Sequence, residues 1–410
     1  MKINPIRGTH DLYGSEVKKF NSIIKIVRDT ANQFSFKELV TPIFESSSLF
    51  KKPLGEESDV VLKEMYTFLD RNGDEITLRP EYTTPMIRAA ISNGLLNSLP
   101  VKLFGYGQMF RRERPQKGRY RQFNQINFEI FGSNDIFADI EIIFLANNII
   151  KRILPNKKIK LHINCLGTKQ NLLDYKKVLK SFFNENKNSL SKESVEKIDK
   201  NSLRILDSKN IEDKKIINQA PKIYEFLSKE NLDRYEKLKT SLVNLNIPIF
   251  EDVSLVRGLD YYCDTVFEFK TNEIGSQDTI IGGGRYDGLI ETLGGKNISG
   301  IGWAGGIERL MLLMDDVVER DNSIHLAILN SKFLDYAVTL YNYLIENDYA
   351  IYWNYKYNLK KSLSIANNNK AKFIIIIGDN EHFNNNFTVK NLENGNQKTC
   401  NLNDILEFIK

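Results

Sequence analysis

The chain has 410 residues, enough for two or three domains with cores of their own, and its 41% hydrophobic and 27% charged shares are those of a soluble globular protein. A formal net charge of +5 permits an anionic partner without demanding one. Cys165, Cys263 and Cys400 lie far apart, form no CxxC pair and do not cluster with the four histidines, which excludes a disulfide framework and a zinc site; with no signal-peptide core and no membrane-length apolar run, a cytosolic protein is expected.

Residues 1–14 read as a loop. From Glu16 to Phe34 the apolar residues Phe20, Ile23, Ile24, Val27, Ala31 and Phe34 recur at helical spacing. FKELVTPIFE (36–45) predicts a strand whose Pro42 belongs at an edge or interface. MYTFLDRNGDEITLR (65–79) predicts a hairpin about Asn72-Gly73. RPEYTTPMIRAAI (79–91) passes from a strand end into a helix, with Glu81 near its start.

Phe104–Gly132 reads as strand, basic loop, strand. Between Arg111 and Arg121 six basic residues face one acid, Glu113, and Pro115 and Gly118 supply turn chemistry. Alternation along the second strand puts Gln125, Asn127 and Glu129 on one face. A carboxylate and amides beneath a loop of guanidiniums is the composition of a site; the loop itself suits nucleic acid, polyphosphate, an acidic partner or plain solvent, because arginine forks match phosphate and carboxylate oxygens.

An amphipathic helix is expected over Asp139–Ile153 and a strand over Ile159–Cys165. Residues 168–247 turn to Lys, Leu and Asn with helical periodicity, an insertion whose basic faces are solvated or assist RNA binding. Strand character returns at Val253–Arg257, GLDYYCDTVFEF (258–269) follows, then GGGRYDG (282–288), and GIGWAGGIERLMLLM (300–314) predicts a strand whose glycines open a helix. Asp315–Asn322 reads as a linker. Beyond it strands (324–329, 350–354, 372–377) alternate with helices (333–346, 359–369), then a hairpin at Asn394-Gly395 and a last helix (402–409), the pattern of a small, mostly parallel α/β domain.

GGGRYDG has no G-x-G-x-x-G spacing, and neither it nor GWAGGIERL matches a Walker A loop. The nucleotide argument rests on Arg111, Arg257 and Arg309, each ending or flanking a strand, with Glu81 and Glu129 nearby. Together these segments resemble the bacterial histidyl-tRNA synthetase family, a class II aminoacyl-tRNA synthetase. FKELVTPIFE resembles the first class II motif, with its proline at a dimer interface, FGYGQMFRRERPQKGRYRQFNQINFEIFG the second and GIGWAGGIERL the third. VRGLDYYCDTVFEF (256–269) and GGGRYDGL (282–289) are similar to two stretches peculiar to this family, and LRILDSKN (203–210) to a run in its insertion.

The resemblance implies an α+β catalytic domain, an antiparallel class II sheet flanked by helices, over 1–167 and 248–318. It also implies a helical insertion over 168–247 and a C-terminal α/β anticodon-binding domain over 322–410. The implied activity is formation of histidyl-adenylate from histidine and ATP, then transfer to the 3′ end of tRNA(His), by a cytoplasmic homodimer. A regulatory paralogue that binds histidine or a biosynthetic enzyme without charging tRNA is the rival. Arg111 and Arg257 are expected on either side of the α-phosphate, and Arg119, Arg121 and Arg309 on the nucleotide. Mg²⁺ is expected on the β- and γ-phosphates, with no protein side chain as metal ligand. Glu81, Thr83 and Gln125 are expected to hold the amino-acid backbone, Glu129 with Tyr261 or Tyr262 the imidazole, and Arg114 and Gln116 the tRNA acceptor end. The family has glycine where this chain has Tyr82, which either crowds the ammonium pocket or points away from it.

Overall fold

A computed structural model describes residues 3–55, 58, 60–275, 278–315 and 323–409. The helical spacing of 16–34 is realised as α1 (Ser15–Gln33), which buries Ile23, Ile24, Val27 and Ala31. The single strand expected over 36–45 is instead two short ones, β1 (Lys37–Glu38) and β2 (Phe44–Ser46), interrupted around Pro42, which has no N–H for a ladder. After α2 (Ser48–Leu54), β3 (Tyr66–Leu69) and β4 (Glu75–Leu78) form the expected hairpin, with Gly73 at φ +90° in its turn. β2 joins them in a three-stranded sheet, β2-β4-β3.

α3 (Thr83–Ser92) precedes the central hairpin of β5 (Val101–Phe110) and β6 (Gln122–Phe131), paired in unbroken register from Val101↔Phe131 to Phe110↔Gln122. Next come α4 (Ile136–Ile153), β7 (Lys160–Cys165), and the inserted helices α5 (Lys169–Glu185), α6 (Lys192–Asn201), α7 (Ile211–Ile217) and α8 (Lys229–Asn244). β8 (Ile249–Glu251), β9 (Cys263–Lys270), β10 (Thr279–Arg285), α9 (Leu289–Thr292), β11 (Gly300–Gly306) and α10 (Ile307–Leu313) follow. No strand forms at 253–257. The Asp252 carboxylate accepts from the Ser254 N–H (3.2 Å) and hydroxyl (2.7 Å), an Asx turn that takes the backbone out of any ladder.

Eight strands make one sheet in the order β1-β5-β6-β11-β10-β9-β7-β8, antiparallel from β5 to β7 with parallel pairs only at its two edges. Alternation along β6 sorts its side chains. Ile126, Phe128 and Ile130 join the core built with α1, α4, α8 and α10, leaving Gln125, Asn127 and Glu129 on the opposite face. The inserted helices do not close a separate core. Leu172, Tyr175, Leu179 and Phe183 of α5 belong to the same apolar cluster as Tyr82, Met86 and Tyr286 around the sheet.

The chain divides into two compact units, Met1–Asp316 and Val317–Lys410. The second holds β12 (Ile324–Ile328), α11 (Leu334–Glu346), β13 (Ile351–Trp353), α12 (Leu359–Asn368), β14 (Phe373–Ile377), α13 (Asp379–Phe383), β15 (Phe387–Asn391), β16 (Gln397–Cys400) and α14 (Ile405–Ile409). Its sheet order is β13-β12-β14-β15-β16. The first three strands are parallel because helices return the chain to the same end, and β15 and β16 are antiparallel because a tight turn at Gly395 can only reverse direction. The expected linker falls, from 316 to 322, outside the described residues. All three cysteines are buried and free. No helix among the described residues is long and apolar enough to cross a membrane.

Candidate active site

The polar face of β6, the end of β5, the 257–262 turn and the start of α10 enclose a cavity of about 400 Å³. Arg111, Arg257 and Arg309, from three distant stretches of sequence, all line it. Arg111 follows β5 directly, and its Nε donates to the Pro80 carbonyl at 2.8 Å. Burial lowers its pKa, which Glu64 and Glu81 oppose. Arg309 stands on the first turn of α10, with Nε on the Gly118 carbonyl (3.1 Å) and Nη1 on that of Thr279 (2.6 Å). Burial, with Arg119 and Arg111 nearby, pulls its pKa down to about 10.

Arg257 is paired with Glu268 of β9. Burial opposes its charge, but Glu268 together with Tyr262 and Tyr261 outweighs that and raises its pKa above the usual arginine value. Its guanidinium lies across Gly282 of β10, where a Cβ would sit 2.6 Å from Nη1, so this glycine is there for the close approach of a side chain. Arg119 is held by Glu113 (Nη2 to Oε1 2.7 Å) on the same loop. The cations of the cavity are therefore ordered before any ligand enters, Arg257 and Arg119 by carboxylates and Arg111 and Arg309 by backbone carbonyls.

At the other end the Glu81 carboxylate accepts from the backbone N–H groups of Thr83 and Thr84, both at 2.8 Å, and so caps α3. The Thr83 hydroxyl donates onward to Glu129 Oε1 at 2.8 Å. Glu129 is fully buried; Tyr286 donates to its second oxygen, and burial drives its pKa up to about 8. A Cβ at residue 302 would collide with that carboxylate, which accounts for Gly302 on the neighbouring strand. Tyr261 and Tyr262 line the cavity with ring centroids 4.6 Å apart, and burial raises both phenol pKa values. Gln125 Oε1, Asn127 Oδ1 and Arg257 Nε are buried with no partner among the described residues. Three orphaned polar atoms in one region are what a polar ligand would satisfy.

Of the residues singled out from the sequence, Glu81, Thr83, Arg111, Arg119, Gln125, Arg257, Tyr261, Tyr262 and Arg309 line the cavity. Four do not. Arg121 turns back to the amino-terminal segment, its N–H on the Gly8 carbonyl (2.7 Å) and its Nε on that of Glu113 (3.2 Å). A tight turn, in which Gln116 and Arg119 exchange backbone bonds and Gly118 takes φ +73°, breaks the alternation that would have kept Arg119 and Arg121 together. Arg114 and Gln116 are exposed on the loop, and Glu129 lies one layer beneath the wall. Tyr82 does not enter the cavity. It is fully buried on the far side, with its hydroxyl between the Leu39 carbonyl (3.2 Å) and the Thr41 N–H (3.3 Å).

Sequence reasoning passed over Glu64, Glu113, Glu268 and Arg204, which also line the cavity, and Tyr286, which holds Glu129. Glu268 had a signal: a charge inside the apolar run VFEF marks a residue that needs a buried partner. Arg204 lies in LRILDSKN, the run that resembles one in the family's insertion, but its approach to the cavity depends on a contact with the Gly258 carbonyl more than fifty residues away.

A histidyl-tRNA synthetase family model matches residues 8–310, and an anticodon binding domain model matches 323–410. The chain is 42% identical over 393 residues to the histidine–tRNA ligase of Wolbachia pipientis subsp. Culex pipiens (strain wPip), covering 96% of each. It is 40% identical over 408 residues to that of Rhodospirillum rubrum, covering 99% of this chain and 98% of the other. The solved structure of apo S. aureus histidyl-tRNA synthetase is similar with a TM-score of 0.82 at 32% identity over 100% of both chains. A Bacillus halodurans structure described as an ATP phosphoribosyltransferase regulatory subunit/histidyl-tRNA synthetase shares the fold at TM-score 0.67 and 19% identity, covering 91% of this chain and 99% of the other.

Proposed function

The chain belongs to the histidyl-tRNA synthetase family, and on that footing we infer that it activates histidine with ATP and transfers the histidyl group to the 3′ end of tRNA(His). It is a class II aminoacyl-tRNA synthetase, a ligase whose ATP is a substrate. The observation that carries the chemistry is the convergence of Arg111, Arg257 and Arg309 on one cavity that also holds Glu81 and Thr83. The first step is an in-line attack of the histidine carboxylate on the α-phosphate. That carboxylate is already ionised, so no general base is needed and the protein's task is positioning and charge stabilisation. We place Arg111 and Arg257 on the α-phosphate, Arg309 and Arg119 on the nucleotide, and the adenine against the aromatic wall of Tyr120 and Phe123.

Arg121 is left out of that set and given the work of fastening the loop. Glu81 and the Thr83 hydroxyl are offered to the substrate ammonium, Gln125 to the amino-acid backbone, and Tyr261, Tyr262 and the underlying Glu129 to the imidazole. Exposed Arg114 and Gln116 are free to meet the acceptor end of tRNA. Among the described residues no group of three or more His, Cys, Asp or Glu side chains could hold a metal ion. Mg²⁺ bound with ATP would help to neutralise the leaving pyrophosphate, and the Glu64 carboxylate in the same cavity suits it chemically.

A homodimer is supported by the connector between β1 and β2, where Val40 (75% exposed), Ile43 and Phe44 present apolar surface beside Pro42. A cytoplasmic enzyme fits this activity. The regulatory rival is disfavoured by the intact arginine set and by full-length identity to ligases. Exchange of labelled pyrophosphate by protein supplied with ATP, Mg²⁺ and histidine tests the reading. Histidine binding without exchange would transfer the case to the rival.

A further inference from the structure

Arg257 stands on a turn that has little backbone structure to hold it. The Asx turn at Asp252 keeps the preceding residues out of the sheet, and neither Arg257 nor Gly258 takes part in a backbone–backbone hydrogen bond among the described residues. A Cβ at residue 258 would meet nothing within 4 Å, so packing does not fix this peptide either. The Arg257 side chain is anchored on one side only: Nη1 pairs with Glu268, while Nε is buried with no partner among the described residues. An electrostatic catalyst needs its geometry set before charge develops, and a misplacement of about 1 Å can cost roughly 100-fold in rate.

The inserted helices supply what this turn lacks. Between α6 and α7 a short 3-10 turn (Ser202–Ile205) buries Ser202, Leu203 and Ile205. Leu203 and Ile205 belong to the same apolar cluster as Leu255, Val256 and Tyr261, so the two turns share one base. Arg204, between the buried pair, lines the cavity and donates from Nη2 to the Gly258 carbonyl, one residue beyond Arg257. Asn201 Nδ2 donates to the Asp260 carboxylate at 2.7 Å, a second tether from the same segment. On its other side Asp260 lies over Gly55, where a Cβ would stand 2.7 Å from Oδ2. Asp207, further along, has its pKa raised by burial and then by Glu268, which brings the inserted segment within electrostatic range of the carboxylate that holds Arg257.

We propose that Arg204 is a positioning residue for adenylate formation: through the Gly258 carbonyl it fixes the peptide that follows Arg257, and so the direction from which the Arg257 guanidinium meets the α-phosphate. This role deepens the reading of the cavity as the site of adenylate chemistry and rests on it. A guanidinium suits the task, because it keeps its charge and donates in fixed directions, whereas an ammonium turns freely about one point. The insertion is thereby part of the catalytic machinery, held to the 257–260 turn at Gly258 and at Asp260. The contact at Gly258 is exposed, so it can be removed without opening the core. A direct hold on the nucleotide is the other use of a cation lining the cavity, and it predicts a different split between binding and rate.

Single-turnover adenylate formation by the full-length chain, with ATP and histidine each varied in the presence of Mg²⁺, tests this in the wild type, Arg204→Ala, Arg204→Lys, Arg257→Ala and the double variant Arg204→Ala with Arg257→Ala. Arg204→Ala should lower the rate of the chemical step by roughly 10- to 100-fold, with histidine and ATP affinities nearly unchanged. Arg204→Lys, which keeps a donor near the carbonyl, should fall between. With Arg257 already removed, the same Arg204→Ala change should alter the rate by no more than about twofold, because a residue that acts through Arg257 then has nothing to position. Losses that multiply in the double variant would show that Arg204 acts independently of Arg257, and would overturn the role. A raised ATP KM with an unchanged chemical rate would make Arg204 a nucleotide ligand instead. A lowered melting temperature with unchanged kinetics would leave it as a fastening of the insertion. Wild-type protein that forms no adenylate would remove the reading of the cavity itself, and the role of Arg204 with it.

Discussion

Tyr82 and Gly105 are a complementary pair: the Tyr82 ring fills the space that a side chain on residue 105 would occupy, and a Cβ there would collide with Cε1 of the ring. The Arg79 guanidinium lies 4.3 Å from the ring centroid and reaches the Thr41 carbonyl and hydroxyl, each at 2.9 Å. Glu81 is therefore bracketed in sequence by two residues anchored to the 39–42 connector. The chain tolerates a bulky residue beside its ammonium-binding candidate because the bulk is spent on the far face, over a glycine.

Gly105→Ala should consequently act at a distance. Overpacking against Tyr82 should cost about 1–3 kcal/mol of stability. By shifting the start of α3, it should raise the histidine KM with little change in the ATP KM. Urea unfolding and pyrophosphate-exchange kinetics measure the two effects separately. A stability loss with an unaltered histidine KM would mean that Tyr82 is core and nothing more.

What could be read from the sequence divides along the same line. Period-two alternation on β6 correctly gathered Gln125, Asn127 and Glu129, because strand geometry fixes which side chains share a face. It could not say how deep each would lie, since Glu129 is covered by Tyr286 and Thr83 from elements far away in sequence. Arg111 and Arg309 were legible as residues ending a strand or opening a helix. Arg121 could not be placed from the sequence, because a turn of four residues, a local event with no periodic signature, rotates it away from the cavity. The strand expected at 253–257 was lost to one Asx turn, in which an aspartate competes with the ladder.

Arg257→Ala tests the α-phosphate assignment. If Arg257 stabilises charge that develops in the transition state, its loss should cost roughly 2.7–4 kcal/mol of activation free energy. The fold should survive, because Glu268 keeps Lys270 at 3.1 Å and the Thr279 hydroxyl at 2.9 Å as partners. Single-turnover adenylate formation reads the effect directly. Weakened histidine affinity with an unchanged chemical rate would refute the role.

A chain ending at Asp321 should retain a folded catalytic part, since β12 to α14 close their own apolar cluster around Leu326, Leu340, Ile375 and Val389. Adenylate formation should largely persist while tRNA charging falls through weaker tRNA binding. Filter binding of tRNA(His) to the two proteins decides this; equal affinity would remove the anticodon-binding assignment.

Glu129→Gln separates substrate recognition from support, and pH supplies the discriminating axis. The native carboxyl titrates at about 8 because burial penalises its charge, against 4.5 for the ordinary group. Between those values the folded protein holds a proton that the unfolded chain has lost. This contribution to stability is therefore greatest below about 4.5 and declines as pH rises toward 8, by up to about 1.4 kcal/mol per pH unit. Glutamine does not titrate, so the melting temperature of the variant should gain on the wild type as pH is raised from 5 to 8. For catalysis, a carboxyl can accept from an imidazole N–H and, when protonated, can also donate to the other tautomer, whereas an amide must present its N–H₂ to one side. If the imidazole rests on this group, an unpaired buried donor or acceptor should raise the histidine KM by roughly 5- to 150-fold, the equivalent of about 1–3 kcal/mol, with ATP binding nearly unchanged. A variant with the altered pH profile but an unaltered histidine KM would leave Glu129 as a prop that holds Thr83 and Tyr286 in place, and would move imidazole recognition to Tyr261 and Tyr262.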